Sequence, residues 1–170
     1  MTKHLAPARA RAARLVSACL VMMAAGCAPN PVTLDVNFPS ETAFLVSRFV
    51  RVDAIPVAPS ALGACPGFVE AAENNETVEG VIASVDNAQT CDMRRGIRLP
   101  DVGSGPRAYL VRVFDDANTV LLVGCTIAEV YASAPAIRVE VYPTDDYDTA
   151  AMRLAPEPGE TIDSRCGGGT

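Results

Sequence analysis

The chain contains 170 residues, of which 49% are hydrophobic and 5% aromatic, and it has a formal net charge of −6. Its one lysine is Lys3 and its one histidine is His4, and tryptophan is absent. The rest of the chain therefore cannot provide a Ser-His-Asp relay, a histidine-ligated metal, a Schiff-base lysine or a P-loop lysine. The acidic balance argues against a nucleic-acid partner, because neutralising phosphates requires clustered basic residues. The one local basic cluster, Arg94, Arg95 and Arg98, is interpreted as a solvated loop.

The first 26 residues have the organisation of a secretory signal peptide. An apolar core runs from Leu15 to Ala25 and is followed by small residues. A basic n-region, an apolar h-region and a small-residue cleavage site define such a peptide. The core is far shorter than the ~20 residues needed to cross a bilayer, which argues against a transmembrane helix. We therefore predict a helical signal peptide over residues 1–26, preceded by basic side chains at Lys3, Arg9, Arg11 and Arg14.

The end of this segment, Ala24-Ala25-Gly26-Cys27, resembles the lipobox of bacterial lipoproteins. The resemblance implies that Cys27 is lipidated and becomes the first residue of the mature protein. An uncleaved peptide, or cleavage between Ala25 and Gly26, is the alternative. Acyl chains on Cys27 would hold the protein on a membrane, since each buried methylene contributes ~0.8 kcal/mol. In lipoproteins of diderm bacteria the inner-membrane retention signal is commonly Asp after the cysteine, so Ala28 implies the outer membrane.

Removal of the signal peptide would leave one domain of about 144 residues with a net charge near −10. Residues 27–32 are predicted to form a short tether. Residues 33–144 are predicted to form the domain, because period-two alternation with intervening turn residues indicates half-buried strands. The predicted strands are Leu34–Phe38, Phe49–Val57, Gly80–Val85, Arg107–Phe114, Val120–Val130 and Ala136–Tyr142.

Two segments carry other signals. Gly67–Asn74 is rich in helix formers and is predicted to form one or two helical turns. Ser40–Ser47 fits either a helical turn capped by Ser40 or a strand, and both remain open. Residues 145–170 are acidic and rich in Gly and Pro, and we expect an irregular tail there.

The strand alternation also predicts which side chains form the core. The predicted inward residues are Val50, Val52, Leu121, Val123, Cys125, Ile127, Ile137, Val139 and Val141. On the strand Arg107–Phe114 the sequence offers two faces, one with Leu110 and the other with Tyr109, Val111 and Val113, and both remain open. Six or seven short strands with few helices indicate an all-β domain of the β-sandwich class.

Four cysteines remain after the signal peptide and Cys27 are set aside: Cys65, Cys91, Cys125 and Cys166. An even number in an oxidising compartment predicts two disulfides, with three pairings open. A four-thiolate zinc site is the competing interpretation, but it prefers short C-x-x-C pairs, and these cysteines are widely separated.

The arrangement resembles immunoglobulin-like or transthyretin-like β-sandwich modules of small bacterial lipoproteins. The resemblance rests on the strand Phe49–Ile55 followed by a loop with Cys65. It also rests on the hairpin strand Arg107–Phe114, which returns through Val123-Gly124-Cys125-Thr126. In such modules the loop cysteine tends to bond the Gly-Cys strand. The resemblance therefore implies a Cys65–Cys125 disulfide, which leaves Cys91–Cys166.

Carboxylates are the remaining candidates for a reactive or metal-binding site. Asp145, Asp146 and Asp148 supply three oxygen ligands within four positions, which makes them a weak candidate for calcium. Paired carboxylates could also hydrolyse a glycoside, with Asp115/Asp116, Asp53 and Glu140 as further candidates. Each of these has a simpler interpretation as a turn, a solvated loop or a cross-strand ion pair.

The sequence thus predicts a membrane-anchored envelope lipoprotein with a non-enzymatic module for structural or protein-interaction duty. We expect no cofactor, and we expect the membrane and another envelope protein as partners. A glycan-binding or small-ligand module is the first alternative, with Tyr109, Tyr131, Tyr142 and Tyr147 as the available exposed aromatics. A carboxylate-based hydrolase is the second.

Overall fold

The computed structural model describes residues 31–130 and 135–167, and it is built mainly of β-strands. The predicted signal peptide, most of the tether and Cys27 lie outside the described residues. The strands are β1 (Val32–Asn37), β2 (Phe49–Pro56), β3 (Ala83–Gln89), β4 (Ile97–Leu99), β5 (Gly105–Phe114), β6 (Val120–Val130), β7 (Ile137–Glu140) and β8 (Tyr142–Pro143). The helices are α1 (Glu41–Val46), α2 (Cys65–Glu73), α3 (Tyr147–Arg153) and α4 (Ile162–Cys166), with 3-10 helices at Pro59–Ala61 and Thr90–Arg95.

The strands form two sheets. The smaller sheet has the order β4-β1-β7, in which β1 runs antiparallel to β4 and parallel to β7. The larger sheet has the order β3-β2-β5-β6-β8, and all of its neighbours are antiparallel. Val141 separates β7 from β8, so the chain passes from the smaller sheet to the larger one at this residue.

The two sheets share one hydrophobic core. Leu34 and Val139 of the smaller sheet and Val52, Val111 and Val113 of the larger sheet are fully buried in this main cluster. The opposite face of the larger sheet carries a second cluster, in which Leu110 and Val123 pack beneath α2. The larger sheet is therefore covered on both faces, which explains why its central strands carry buried apolar residues on both.

The predicted core residues are buried or half-buried, but their assignment to one inward face is wrong. Val52 pairs with Val111, and Val111 pairs with Gly124, so Gly124 shares the face of Val52 on β6. Val123 faces the other way and belongs to the second cluster, with Cys125 and Ile127 partly buried beside it. A strand buried on both faces offers two apolar registers, and alternation alone does not distinguish them.

Most predicted strands form with small shifts of their ends, and the open segment after β1 is a helix. The hydroxyl of Ser40 accepts a hydrogen bond of 3.0 Å from the backbone N–H of Ala43, which caps α1. The segment Ala136–Tyr142 is divided between β7 and β8, and β4 was not predicted because its three residues are too few to show alternation.

The expectation of an irregular segment after Pro143 is wrong. Residues 147–153 form α3, which buries Ala150 in the main cluster, and residues 162–166 form α4. The apolar positions Tyr147, Ala150, Ala151 and Leu154 have the spacing i, i+3, i+4, i+7, which places them on one helical face. Burial of this face accounts for a helix in a segment with an acidic composition.

Candidate functional site: a groove beside the second disulfide

Two disulfides cross-link the described residues. Cys65 at the start of α2 is bonded to Cys125 on β6, with Cα atoms 5.5 Å apart. Cys91 in the 3-10 helix Thr90–Arg95 is bonded to Cys166 at the end of α4, with Cα atoms 5.3 Å apart. This is the pairing implied by the resemblance to lipoprotein β-sandwich modules. All four cysteines are half-buried, so neither bond is held wholly inside the core.

The second disulfide lies next to a groove of about 570 Å³. One wall is formed by the end of β1 and the first turn of α1, and the other by the 3-10 helix Thr90–Arg95 and the start of α4. We call this depression the α1–α4 groove. Its lining mixes apolar residues from the core with charged residues at its rim, notably Val36, Phe38, Phe44 and Met93 against Asp35, Glu41, Arg94 and Asp163.

Three cross-links hold α4 against the rest of the groove, two at its start and one at its end. The Cys91–Cys166 disulfide joins the two elements of one wall, and Arg94 donates to Asp163 across the same wall at 2.7 Å. The backbone N–H of Ile162 donates to Oε1 of Glu41 at 3.0 Å, which ties α4 to α1. No residue of α4 is fully buried, so these polar and covalent links, more than apolar packing, position it.

The groove combines an apolar floor with an acidic rim. Phe44 and Met93 are 4% and 5% exposed, and the rings of Phe38 and Phe44 meet edge to face with centroids 5.0 Å apart. Three carboxylates and one guanidinium line the groove, so its formal charge is negative. Such a lining suits a ligand that has an apolar part and a positive charge.

Asp53 and Asp115, two of the carboxylates considered for catalysis, serve the fold, whereas Glu140 is exposed, accepts a hydrogen bond from Tyr142 and has no ion pair among the described residues. Asp53 is fully buried and accepts hydrogen bonds from Arg112 at 2.6 Å, Ser84 at 2.7 Å and Arg51 at 3.0 Å. Arg51 and Arg112 lie directly opposite each other on β2 and β5, so the carboxylate of Asp53 offsets their repulsion. The interpretation of Asp53 as a cross-strand ion-pair residue is therefore confirmed.

Asp115 stabilises the β5–β6 hairpin. Its side chain accepts hydrogen bonds from the backbone N–H groups of Ala117 and Thr119 at 2.9 and 2.8 Å. Its other oxygen accepts from Arg153 of α3 at 2.5 Å. Its neighbour Asp116 is exposed and pairs with Arg48, so the two carboxylates do not face a common cleft.

The acidic residues considered for calcium do not converge. Asp145 and Asp146 occupy a turn, Asp148 lies in the first turn of α3, and all three are exposed. Positions two apart on a helix project about 200° apart, so Asp146 and Asp148 diverge. Within the described ranges no group of three or more His, Cys, Asp or Glu side chains could hold a metal ion. The structure thus does not bring the three carboxylates of the weak calcium candidate together, and acidic residues at the start of α3 fit a favourable interaction with the helix dipole.

The tyrosines are distributed between core and surface. Tyr109 is fully buried, so it is not available as an exposed aromatic, and burial raises its pKa to about 12. Tyr142 is exposed, and its hydrogen bond to Glu140 raises the pKa of its phenol. Tyr147 is half-buried against the core, and Tyr131 lies outside the described residues. A glycan-binding platform is left with Tyr142 among the described tyrosines.

Comparison with known proteins adds no assignment. No family model matches the chain, and neither a curated protein nor a solved structure shows significant similarity to it. Among the described residues, every helix is too short or too polar to cross a bilayer.

The α1–α4 groove was not predicted from the sequence. Its residues come from three stretches that lie far apart in the chain, within 35–44, 93–94 and 161–163, and no motif links them. Two local signals were available, namely the Ser40 cap before Glu41 and the capping box formed by Thr161 and Ser164. These signals predict the helices, but the position of α4 depends on the pairing of Cys91 with Cys166.

Proposed function

We propose that this protein is a lipid-anchored envelope lipoprotein whose domain is a disulfide-stapled β-sandwich of the immunoglobulin-like or transthyretin-like kind. In this proposal Cys27 carries the acyl chains, and Ala28 directs the protein to the outer membrane. The domain has a non-enzymatic role in protein interaction or envelope structure.

One observation carries the proposal, namely the two disulfides that link four half-buried cysteines. Such bonds form and persist in oxidising compartments, where the signal peptide would deliver the chain. The shared core between the two sheets favours a sandwich architecture. The buried, ion-paired state of Asp53 and Asp115 favours a structural role over a hydrolytic one.

The first prediction concerns the anchor. Cys27→Ser should abolish incorporation of radiolabelled palmitate and should leave an unprocessed or soluble precursor. Cys19→Ser is the matched control, because Cys19 lies in the apolar core of the same segment and should be removed with it. We expect the control to be labelled and processed like the natural chain, and to fractionate with the outer membrane. Labelling of Cys27→Ser at the natural level would overturn the proposed anchor.

A further inference from the structure

We propose that the α1–α4 groove is a docking site for a basic peptide segment of an envelope partner, with an apolar side chain seated on the floor of the groove. This inference rests on the proposed function, since it names the surface through which a protein-interaction module would act.

The size and floor of the groove fit one anchoring side chain. Its volume of about 570 Å³ lies within the range of ~300–1,000 Å³ typical of ligand sites. The floor is made of Val36, Phe44 and Met93, which are 8%, 4% and 5% exposed. An aromatic or aliphatic side chain placed there would contact Val36 and Met93 of the main core and the buried ring of Phe44.

The charge of the rim selects a basic partner. The side chains of Asp35 and Asp163 are 54% and 73% exposed, so both are accessible from solvent. Asp163 is paired with Arg94 at 2.7 Å, and Asp35 has only a longer contact of 3.6 Å with Arg138. Glu41 adds a third carboxylate, so against Arg94 and Arg138 the rim keeps an excess of one negative charge. Complementary charge at such a rim favours association with Arg or Lys side chains and disfavours acidic segments.

The charge of the groove favours a protein partner over the membrane surface. Its rim carries more carboxylates than guanidiniums, and such a rim is repelled by an anionic lipid surface.

The test measures binding of a labelled peptide to the purified full chain in non-ionic detergent. The probes are Arg-Phe-Arg and Glu-Phe-Glu peptides with blocked termini, each labelled with tetramethylrhodamine, a zwitterionic dye that leaves the peptide charge unchanged, and followed by fluorescence anisotropy. We expect the basic peptide to bind and the acidic peptide not to bind. Binding of the basic peptide should weaken several-fold when salt rises from about 50 mM to about 500 mM, because exposed charges are screened.

Variants with matched charge changes locate the site. The double variant Asp35→Asn, Glu41→Gln removes two rim charges and keeps an acceptor for the N–H of Ile162, so it should fold. We expect it to bind the basic peptide roughly tenfold more weakly. The control Asp145→Asn, Asp148→Asn removes the same charge outside the groove and should change binding by less than about twofold. Equal binding of the two peptides, or equal weakening by the two double variants, would overturn the docking site.

A third arm separates this proposal from the anchor and from a lipid ligand. The full chain with Cys27→Ser should bind the basic peptide as tightly as the natural chain, whether or not Cys27 proves to be lipidated. Vesicles of phosphatidylcholine and phosphatidylglycerol, mixed with that variant in the absence of peptide and detergent, should not carry it down when they are sedimented. Cosedimentation that is lost in Asp35→Asn, Glu41→Gln would contradict a protein-docking groove and would assign the surface to lipid.

Discussion

Tyr109 places a polar group in the main core. Its side chain is fully buried, and its hydroxyl has no hydrogen-bond partner among the described residues. Burial disfavours the charged phenolate and raises the pKa of Tyr109 to about 12, an effect that the nearby Arg107 partly offsets. The hydroxyl therefore costs free energy at neutral pH, and its ionisation opposes folding at high pH.

The prediction for Tyr109 concerns stability against pH. Because the pKa of Tyr109 is raised in the folded state, its ionisation leaves the free energy of unfolding unchanged below about pH 10 and lowers it between about pH 10 and about pH 12, by up to about 3 kcal/mol. Tyr109→Phe should remove this loss and should raise the free energy of unfolding at pH 7 by about 1 kcal/mol. Urea titrations followed by circular dichroism at pH 7 and pH 11 measure both effects. Tyr142→Phe, at an exposed phenol, is the control that should keep the alkaline loss.

Individual side chains show what alternation predicts and what it misses. The alternation of Arg51 and Asp53 with valines correctly predicted a cross-strand ion pair. It did not predict that Asp53 is fully buried, because burial depends on Arg112 and Ser84 from neighbouring strands. Tyr109 was predicted as a candidate surface aromatic. The sequence did not show which face of β5 the smaller sheet covers, and it is this packing that buries Tyr109.

At the scale of elements, Gly124 sets the distance between the two sheets. A Cβ built on Gly124 would collide with the carbonyl oxygen of Glu140, and it would lie 2.9 Å from the carbonyl carbon and 3.1 Å from Cα of Val141. β6 thus contacts the backbone at Glu140 and Val141, where the chain passes from β7 to β8. Position 124 therefore requires glycine, because the two backbones occupy the space that a side chain would need.

This close approach predicts opposite effects for two glycines. Gly124→Ala should lower the free energy of unfolding by about 3 kcal/mol or more, because the added carbon forces the backbones apart. Gly67→Ala is the control, since Gly67 lies in α2 with no atom within 4 Å of its added carbon. It should stabilise the protein by about 0.5 kcal/mol. Thermal unfolding of both variants gives the comparison, and a mild effect of Gly124→Ala would show that β7 and β8 can move away from β6.

The elements also differ in how far the sequence defines them. The long strand β6 was predicted with its observed ends, because eleven residues of apolar and β-branched character lie between clear turn signals. The apolar run Ile137, Val139 and Val141 was predicted as one strand, and all three residues are buried. Its division between two sheets follows from tertiary packing. The helix α3 had a local signal, namely the i, i+3, i+4, i+7 spacing of its apolar residues. The acidic and Pro-rich composition of the segment nevertheless led to the prediction of an irregular tail.

At the scale of the whole molecule, the two disulfides have separate tasks. Cys65–Cys125 fixes α2 over the second cluster, and Cys91–Cys166 fixes α4 beside the α1–α4 groove. They span 60 and 75 residues, and in the chain-entropy picture each stabilises the fold by about 4 kcal/mol. Releasing α4 would lose less apolar contact than releasing α2, because no residue of α4 is fully buried.

The corresponding prediction uses two double variants and hydrogen exchange. Cys91→Ser, Cys166→Ser should abolish amide protection over residues 162–166 and leave the protection of β5 and β6 in place. Cys65→Ser, Cys125→Ser should keep the protection of α4 and reduce that of α2. If both variants lose protection uniformly, the two bonds stabilise one cooperative unit.

The parallel pairing of β1 with β7 has a consequence for the order of folding. Leu34 pairs with Ile137, about a hundred residues later in the chain. Contacts between such distant segments must overcome a large loop-closure entropy, and proteins rich in them fold slowly. A chain that emerges with its amino end first holds Leu34 and Val36 without their β7 partner until nearly the whole domain has been released. During that interval the edge of β1 is open to other chains, so the risk of aggregation is greatest before the last strands arrive.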